Sequence, residues 1–383
     1  MRVTLKDASL ARYAGRFVWL ELNFDGAANR NFLARHGVTS TPSFYVIDPA
    51  DGHAAATQLG AMTTQEVGGF LDRGEQNVRA SSKDPADVLL TRGDDLLASD
   101  RHAEAASAYE DAVRTGGNKW PERERAVTSL TWALLASHQH QRCAETAASE
   151  APHMKRTAMF GRLLVAGMLC VSNDPAAPWA KPAARTLEPL AVEAIALPVT
   201  VRDHRFQLYQ GLMSLADARG DKATVQSLGD RWLQELDSTK PANDDERSAL
   251  DIARVDAASI LNEPQRVLPA LTKSERAMPE NYNASLRLAQ MQSAAHQYTQ
   301  SIAACDRGLQ HVDGALGRSW LLQVKADALR QMGRRAEALS VYQDALHSAR
   351  QIGLKSPRDN NTVKIKKAME NLQATRKQRA GSL

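Results

Sequence analysis

Two hydrophobic periods divide the chain. Up to about residue 75, short runs of branched and aromatic residues alternate with turn signals. Beyond about residue 81, apolar residues recur at the three- and four-residue spacing of helices. In the first stretch, Phe17-Val18-Trp19-Leu20-Glu21-Leu22 predicts a strand. Residues 27–36 predict a short helix that Gly37 would end, and Ser43-Phe44-Tyr45-Val46-Ile47 a second strand. Asp48-Pro49-Ala50-Asp51-Gly52 predicts a turn, with proline fixing φ and glycine admitting positive φ. Residues 54–59 predict a weak third strand. Thr63 or Thr64 predicts the cap of a helix running to about Leu71, with Glu66 in its first turn, where the helix dipole favours an acid.

Along the helical stretch a single spacing occurs twice. Leu89, Gly93, Leu96, Ala105, Tyr109 and Ala112 stand in the same register as Leu322, Ala326, Leu329, Ala338, Tyr342 and Ala345. Small residues at Gly93, Ala105, Ala112, Ala326, Ala338 and Ala345 let paired helices approach, and Tyr109 or Tyr342 fills the space toward the next pair. The pattern resembles the tetratricopeptide repeat, a pair of helices of about 34 residues. Weaker windows lie at 281–308 and 206–232, the latter turning at Gly220-Asp221, and helix pairs are expected at 122–150 and 245–278. Pro175, Pro178, Pro182, Pro189 and Pro198 mark an extended connection or an irregular repeat. Residues 353–361, with Pro357, read as a loop before a basic helix over 362–380 that caps the array.

Composition narrows the function. Hydrophobic residues are 43% and charged residues 24%, as in a folded protein. Mean hydropathy is −0.41, and no apolar run reaches the roughly 18–20 residues of a membrane span. Net charge is +4; eight Lys/Arg against two Asp/Glu in residues 351–383 make that end +6 and the remainder −2. So mild a balance gives no case for nucleic acid. Cys143, Cys170 and Cys305 form neither a Cys-x-x-Cys nor a zinc spacing, and read as small buried hydrophobes outside any disulfide framework. His138-Gln139-His140 with Cys143 reads as an inter-helix turn and not as a metal site, and Asp94-Asp95 as solvated helix-end carboxylates. No phosphate loop or nucleophile elbow occurs, so no catalytic residue, metal or cofactor is expected.

The order of elements over residues 1–72, with Gly37-Val38, Thr39-Ser40-Thr41-Pro42 and the Asp48 turn, resembles the later two-thirds of a thioredoxin-like domain. The resemblance implies a cis proline at Pro42 opposite a redox pair, with Thr41 and Pro42 contacting substrate. The family's Cys-x-x-Cys would lie before this stretch, and no cysteine precedes Cys143. The chain therefore reads as starting just downstream of that motif, without a central strand.

The expected fold is mainly α: a tetratricopeptide-like α-solenoid preceded by a small, incomplete α/β thioredoxin-like domain. The expected divisions are 1–75 for that domain, 76–86 for a linker, 87–350 for helical repeats and 351–383 for the basic capping helix and tail. The expected function is a protein-interaction scaffold whose concave face holds a protein or peptide, with no nucleic acid and no membrane span. The alternative is a truncated thiol–disulfide oxidoreductase whose repeats select substrates. As written the sequence reads as cytoplasmic, or as periplasmic or secreted if a signal precedes Met1.

Overall fold

The computed structural model describes residues 5, 7–23, 27–36, 38, 42–50, 52, 54–60, 62–79, 84–352 and 355–380. The chain divides into two compact units, Met1–Lys222 and Ala223–Leu383, and is mainly α.

The first unit opens with the α/β segment: a 3-10 helix at Ala8–Tyr13, the short helix α1 (Arg30–Arg35), strands β1 (Ser43–Ile47) and β2 (Ala54–Leu59), and helix α2 (Thr64–Arg79). The strands pair antiparallel, Ser43 opposite Leu59 and Val46 opposite Ala56. The Asp48 turn joins them: its carboxylate accepts the Ala50 N–H at 2.8 Å, and Gly52 sits at φ +75°. A capping box starts α2. Glu66 Oε2 accepts the Thr63 N–H at 2.7 Å, and Thr63 Oγ1 accepts the Glu66 N–H at 3.2 Å. Leu10, Tyr13, Val46, Ala55, Met62, Val67, Phe70 and Leu71 form the core, and the Tyr13 hydroxyl donates to the Gly68 carbonyl at 2.9 Å.

The expected strand at 17–22 does not form. Val18, Trp19, Leu20 and Leu22 are 89%, 50%, 79% and 38% exposed, and the sheet among the described residues has two strands. β-propensity describes how a residue fits a paired, half-buried surface, and this run has no ladder partner to supply one. The sheet of the segment expected to be thioredoxin-like is thus a two-stranded hairpin, followed by α2. Gly37 and Thr39-Ser40-Thr41 lie outside the described residues.

Helix pairs follow: α3 (Pro85–Ala98) with α4 (His102–Gly116), α5 (Arg123–Ala136) with α6 (His140–Glu150), and α7 (Ala158–Asn173) with α8 (Ala180–Ala196); α9 (Arg202–Ala218) ends the unit. Asp84 caps α3 by accepting the Ala86 N–H at 2.9 Å, with Pro85 at the first position, where no N–H partner is needed. The prolines at 182 and 189 lie inside α8, which settles the proline cluster as an irregular pair. In the second unit α10 (Lys222–Ser238) precedes three pairs: α11 (Asp244–Leu261) with α12 (Leu268–Ala277), α13 (Tyr282–Ala294) with α14 (Tyr298–His311), and α15 (Ala315–Gln331) with α16 (Arg335–Arg350). α17 (Lys355–Ala380) caps them, burying Ile365 and Leu372 in the α15–α16 core. It starts at Lys355, so the loop expected at 353–361 is largely helical; Pro357 falls in a first turn, where proline is tolerated.

One local device recurs. Asp100, His138, Gly220, Asn262, His296 and Gly333 all have φ between 54° and 77°. In each case the next N–H bonds the carbonyl five residues earlier: Arg101 to Leu96, Gln139 to Leu134, Asp221 to Ala216, Glu263 to Ala258, Gln297 to Gln292 and Arg334 to Leu329, at 2.8–3.0 Å. This is the left-handed helix stop, which satisfies terminal carbonyls and reverses the chain. The α7–α8 connection does not use it.

Cys143 on α6 and Cys170 on α7 form a disulfide, with Cα atoms 6.2 Å apart. This corrects the reading of all three cysteines as free; only Cys305 keeps that role, buried in α14. The pairing joins two antiparallel helices across 27 residues, and such a contact leaves no trace in sequence spacing.

Candidate binding surface

Within each unit the first helices of the pairs form a layer. In the first unit α5 packs on α7 and α7 on α9. In the second α11 packs on α13, α13 on α15, and α15 on α17. The second helices stand behind them. The front layer is where charged side chains interrupt otherwise apolar helices.

In the first unit this layer carries Asp94 from α3, Arg125 from α5, Arg162 from α7 and His204 from α9, each 9% exposed or less. Asp94 is the hub. Its Oδ1 accepts the Tyr109 hydroxyl at 2.7 Å, and its Oδ2 pairs with the Arg125 guanidinium. The reading of Asp94 as a solvated carboxylate is therefore corrected: α4 and α5 enclose it. Burial, then the Asp94 charge, raises the Tyr109 hydroxyl well above its ordinary range. Burial opposes the Arg125 charge, but Asp94 and Tyr109 outweigh it and the net shift is upward.

The α/β segment covers this layer. β2 packs on α3, and a methyl added at Gly60 would lie 3.7 Å from Arg162 Nη2. Burial pulls Arg162 down to about 10, with Glu66 of α2 opposing that shift and Arg125 adding to it. Burial likewise pulls Arg73 of α2 down to about 10, next to Arg125, Glu122 and Asp94. All three guanidiniums stay charged at neutral pH, opposite Asp94, Glu66 and Glu122. The charges balance locally, and the front of the first unit is closed by the chain's own N-terminal segment.

His204 sits beside Arg162. Its Nδ1 is buried with no hydrogen-bond partner. Burial, then the Arg162 charge, pushes it down to about 3. A histidine held neutral in the fold and protonated near pH 6.5 when unfolded stabilises fully above that pH. The contribution is lost as pH falls from there toward 3, by about 2 kcal/mol at pH 5. Urea unfolding at pH 7.5 and pH 5 should show the wild type losing about that much more than His204→Leu. Identical losses in the two proteins would remove His204 as the cause.

In the second unit Tyr342 repeats the hub: its hydroxyl donates to Asp327 Oδ1, again fifteen positions back, and Arg330 lies 3.6 Å from that oxygen. Here the layer is more open. Arg287, Gln290, Gln323 and Asp327 are part-exposed, and Trp320 is 36% exposed, its indole N–H donating to Asn361 of α17 at 3.3 Å. Burial lowers Arg287, with Asp251 opposing that shift. From behind, Arg307 of α14 grips both Glu275 oxygens of α12 at 2.8 Å.

The repeat-signature residues lie inside the pairs. Ala105, Tyr109, Ala112, Ala326, Ala338, Tyr342 and Ala345 are fully buried, and Gly93 faces the Tyr109 ring. They build the layers and present nothing to a partner. Thr41 lies outside the described residues. Pro42 precedes β1, its carbonyl accepting the Gly60 N–H at 2.8 Å. His138 is a left-handed turn residue, and the Cys143 sulfur is bonded to Cys170. Arg125, Arg162, His204 and Asp327 escaped the sequence reading, and Asp94 was misread there as solvated. The fifteen-residue Asp–Tyr interval, present in both good windows, was the available signal.

No protein-family model matches the chain, and no curated protein matches it in sequence. Among solved structures it is similar to a tetratricopeptide repeat protein from Parabacteroides merdae ATCC 43184, at 10% identity and a TM-score of 0.47. It is also similar to a TPR2AB-domain:pHSP90 complex of yeast Sti1, at 11% identity and a TM-score of 0.29. Each alignment covers 75% of this chain and 98% of the other. Both likenesses are remote, and the fold stands on the helix pairs themselves. No helix among the described residues is long and apolar enough to cross a membrane.

Proposed function

We propose that the chain is an interaction scaffold of the tetratricopeptide type that holds an extended peptide against the front layer of its second unit. The observation that carries this reading is the partly open row of Arg287, Gln290, Trp320, Gln323 and Asp327 on successive front helices, set against the closed front of the first unit. Polar, hydrogen-bonding side chains on a stacked helical layer suit a peptide whose backbone and charges need partners. The Sti1 complex, a repeat structure holding a pHSP90 partner, points the same way as an analogy only. On this reading residues 87–350 are the tetratricopeptide-like helical repeats, 351–383 the basic capping helix and tail, 76–86 the linker and 1–75 a thioredoxin-like remnant. The hairpin followed by α2 supports that last assignment, as does the unladdered run at 17–22.

The test is selection of binders from a displayed random-peptide library on the full chain, then affinity measurement with the selected peptide. Arg287→Glu and Asp327→Arg should each weaken it at least tenfold, about 1.4 kcal/mol, while the charge reversal Arg142→Glu, on α6 behind the layer, leaves it unchanged. Equal affinities across all three variants would place the peptide elsewhere.

An oxidoreductase reading gains nothing in this chain. The one disulfide is buried and distant in sequence from Pro42, and the free thiol Cys305 is buried and pushed up to about 12 by that burial, far from the low-pKa exposed sulfur such chemistry needs.

A further inference from the structure

α6 and α7 pack closely at a glycine. A methyl added at Gly167 of α7 would lie 2.6 Å from the Ala147 methyl of α6, so the backbone contact exists because Gly167 has no side chain. One turn along the same antiparallel seam stand Cys143 and Cys170, both 0% exposed. The seam joins the second helix pair to the third. From this geometry we infer that the chain folds in an oxidising compartment that supplies donor disulfides, and that Cys143–Cys170 is a permanent lock on the seam.

The burial fixes the order of events. Once α6, α7 and α8 have closed, neither a donor nor a reductant reaches either sulfur, so the bond is acquired while the seam is still open. The Cys143 thiolate attacks the donor disulfide, forming a mixed disulfide and releasing one donor thiolate. The Cys170 thiolate then attacks Cys143 Sγ, forming the internal bond and releasing the second donor thiolate. The donor gains two electrons, and the two thiol protons pass to water. Such a donor is the disulfide of an exchange catalyst or of an oxidised small thiol, species that persist in secretory or periplasmic spaces and are scarce in a reducing cytosol. Cys305 does not compete: it is buried in the other unit, and burial keeps it a thiol. An exchanging redox pair would need an exposed, acidic sulfur, and neither Cys143 nor Cys170 is exposed.

The experiment is a thiol count on the full chain, expressed in a bacterial cytosol and, behind a cleavable export leader, in the periplasm. Each sample is unfolded in guanidinium with an alkylating reagent and no reductant, then mapped by mass spectrometry. Periplasmic protein should carry one alkyl group, on Cys305, and a cross-linked peptide pair containing Cys143 and Cys170. Three alkyl groups on periplasmic protein would overturn the inference. In the native state 10 mM dithiothreitol should leave the bond intact for hours, and rapid reduction would overturn the lock. The Cys143→Ala/Cys170→Ala variant should melt about 10 °C lower in the transition of the first unit. A shift below about 2 °C would leave the bond without that role. The thiol count stands even if the variant fails to fold.

Discussion

Replacing Asp94 with Ala should destabilise the first unit by about 3–5 kcal/mol, the range for orphaning one partner of a buried ion pair. Arg125 would keep its charge, because a guanidinium does not give up its proton at neutral pH, yet it would lose the carboxylate beside it. Tyr109, 0% exposed, would lose its acceptor as well. Asp94→Asn keeps an acceptor for the tyrosine and removes only the charge, so it should fall between. The double change Asp94→Ala/Arg125→Met should recover more than half of the loss, since exchanging a whole buried pair for apolar groups is often close to neutral. Hydrogen exchange in α3–α5 with denaturant titration reads the effect within the unit. A single-variant loss below about 1 kcal/mol, or no recovery in the double variant, would show that the pair does not hold this junction.

Gly93→Val should cost about 3 kcal/mol, the upper end of overpacking in a closed core. Its first side-chain carbon alone would stand 2.5 Å from Tyr109 Cε1 and 2.6 Å from Cδ1. The ring cannot swing away freely, because its hydroxyl is tied to Asp94 at 2.7 Å. Relief of the clash therefore gives up that bond too. The last pair supplies an internal comparison: Ala326 occupies the equivalent place against Tyr342, and a methyl is accommodated there. Ala326→Gly should cost only about 1 kcal/mol, chiefly helix propensity. Thermal melts of the two variants should differ accordingly. Equal small shifts would mean that Tyr109 has room the geometry denies it.

What the sequence made legible were contacts between residues near each other in the chain. The Gly93–Tyr109 and Ala326–Tyr342 registers exposed the helix pairs, because a small residue facing a ring recurs at fixed distance within one hairpin. The Asp48 turn and the Thr63–Glu66 box were legible for the same reason. The Asp94–Arg125 pair and the Cys143–Cys170 bond depend on how one hairpin lies on the next, which no local pattern encodes. Composition actively misled at Asp94, where a charge usually means water. It misled again at residues 17–22, whose apolar run matches a strand but finds no neighbour to bond. The prolines of α8 and Pro357 looked like breaks and proved to be helix positions: Pro182 and Pro357 fall in first turns, where no intrahelical N–H bond is lost, and Pro189 alone gives one up.

The disulfide also changes the connectivity of the molecule as a polymer. Cys143 and Cys170 close a covalent ring across 27 residues, and nothing pulled from the two ends can enter it while the bond lasts. Fully drawn out, the oxidised chain is about 90 Å shorter than the reduced one, at roughly 3.5 Å for each residue withheld. The second and third helix pairs, otherwise free to peel apart singly under tension, then share one tether, and the mechanical length of the protein records its redox history.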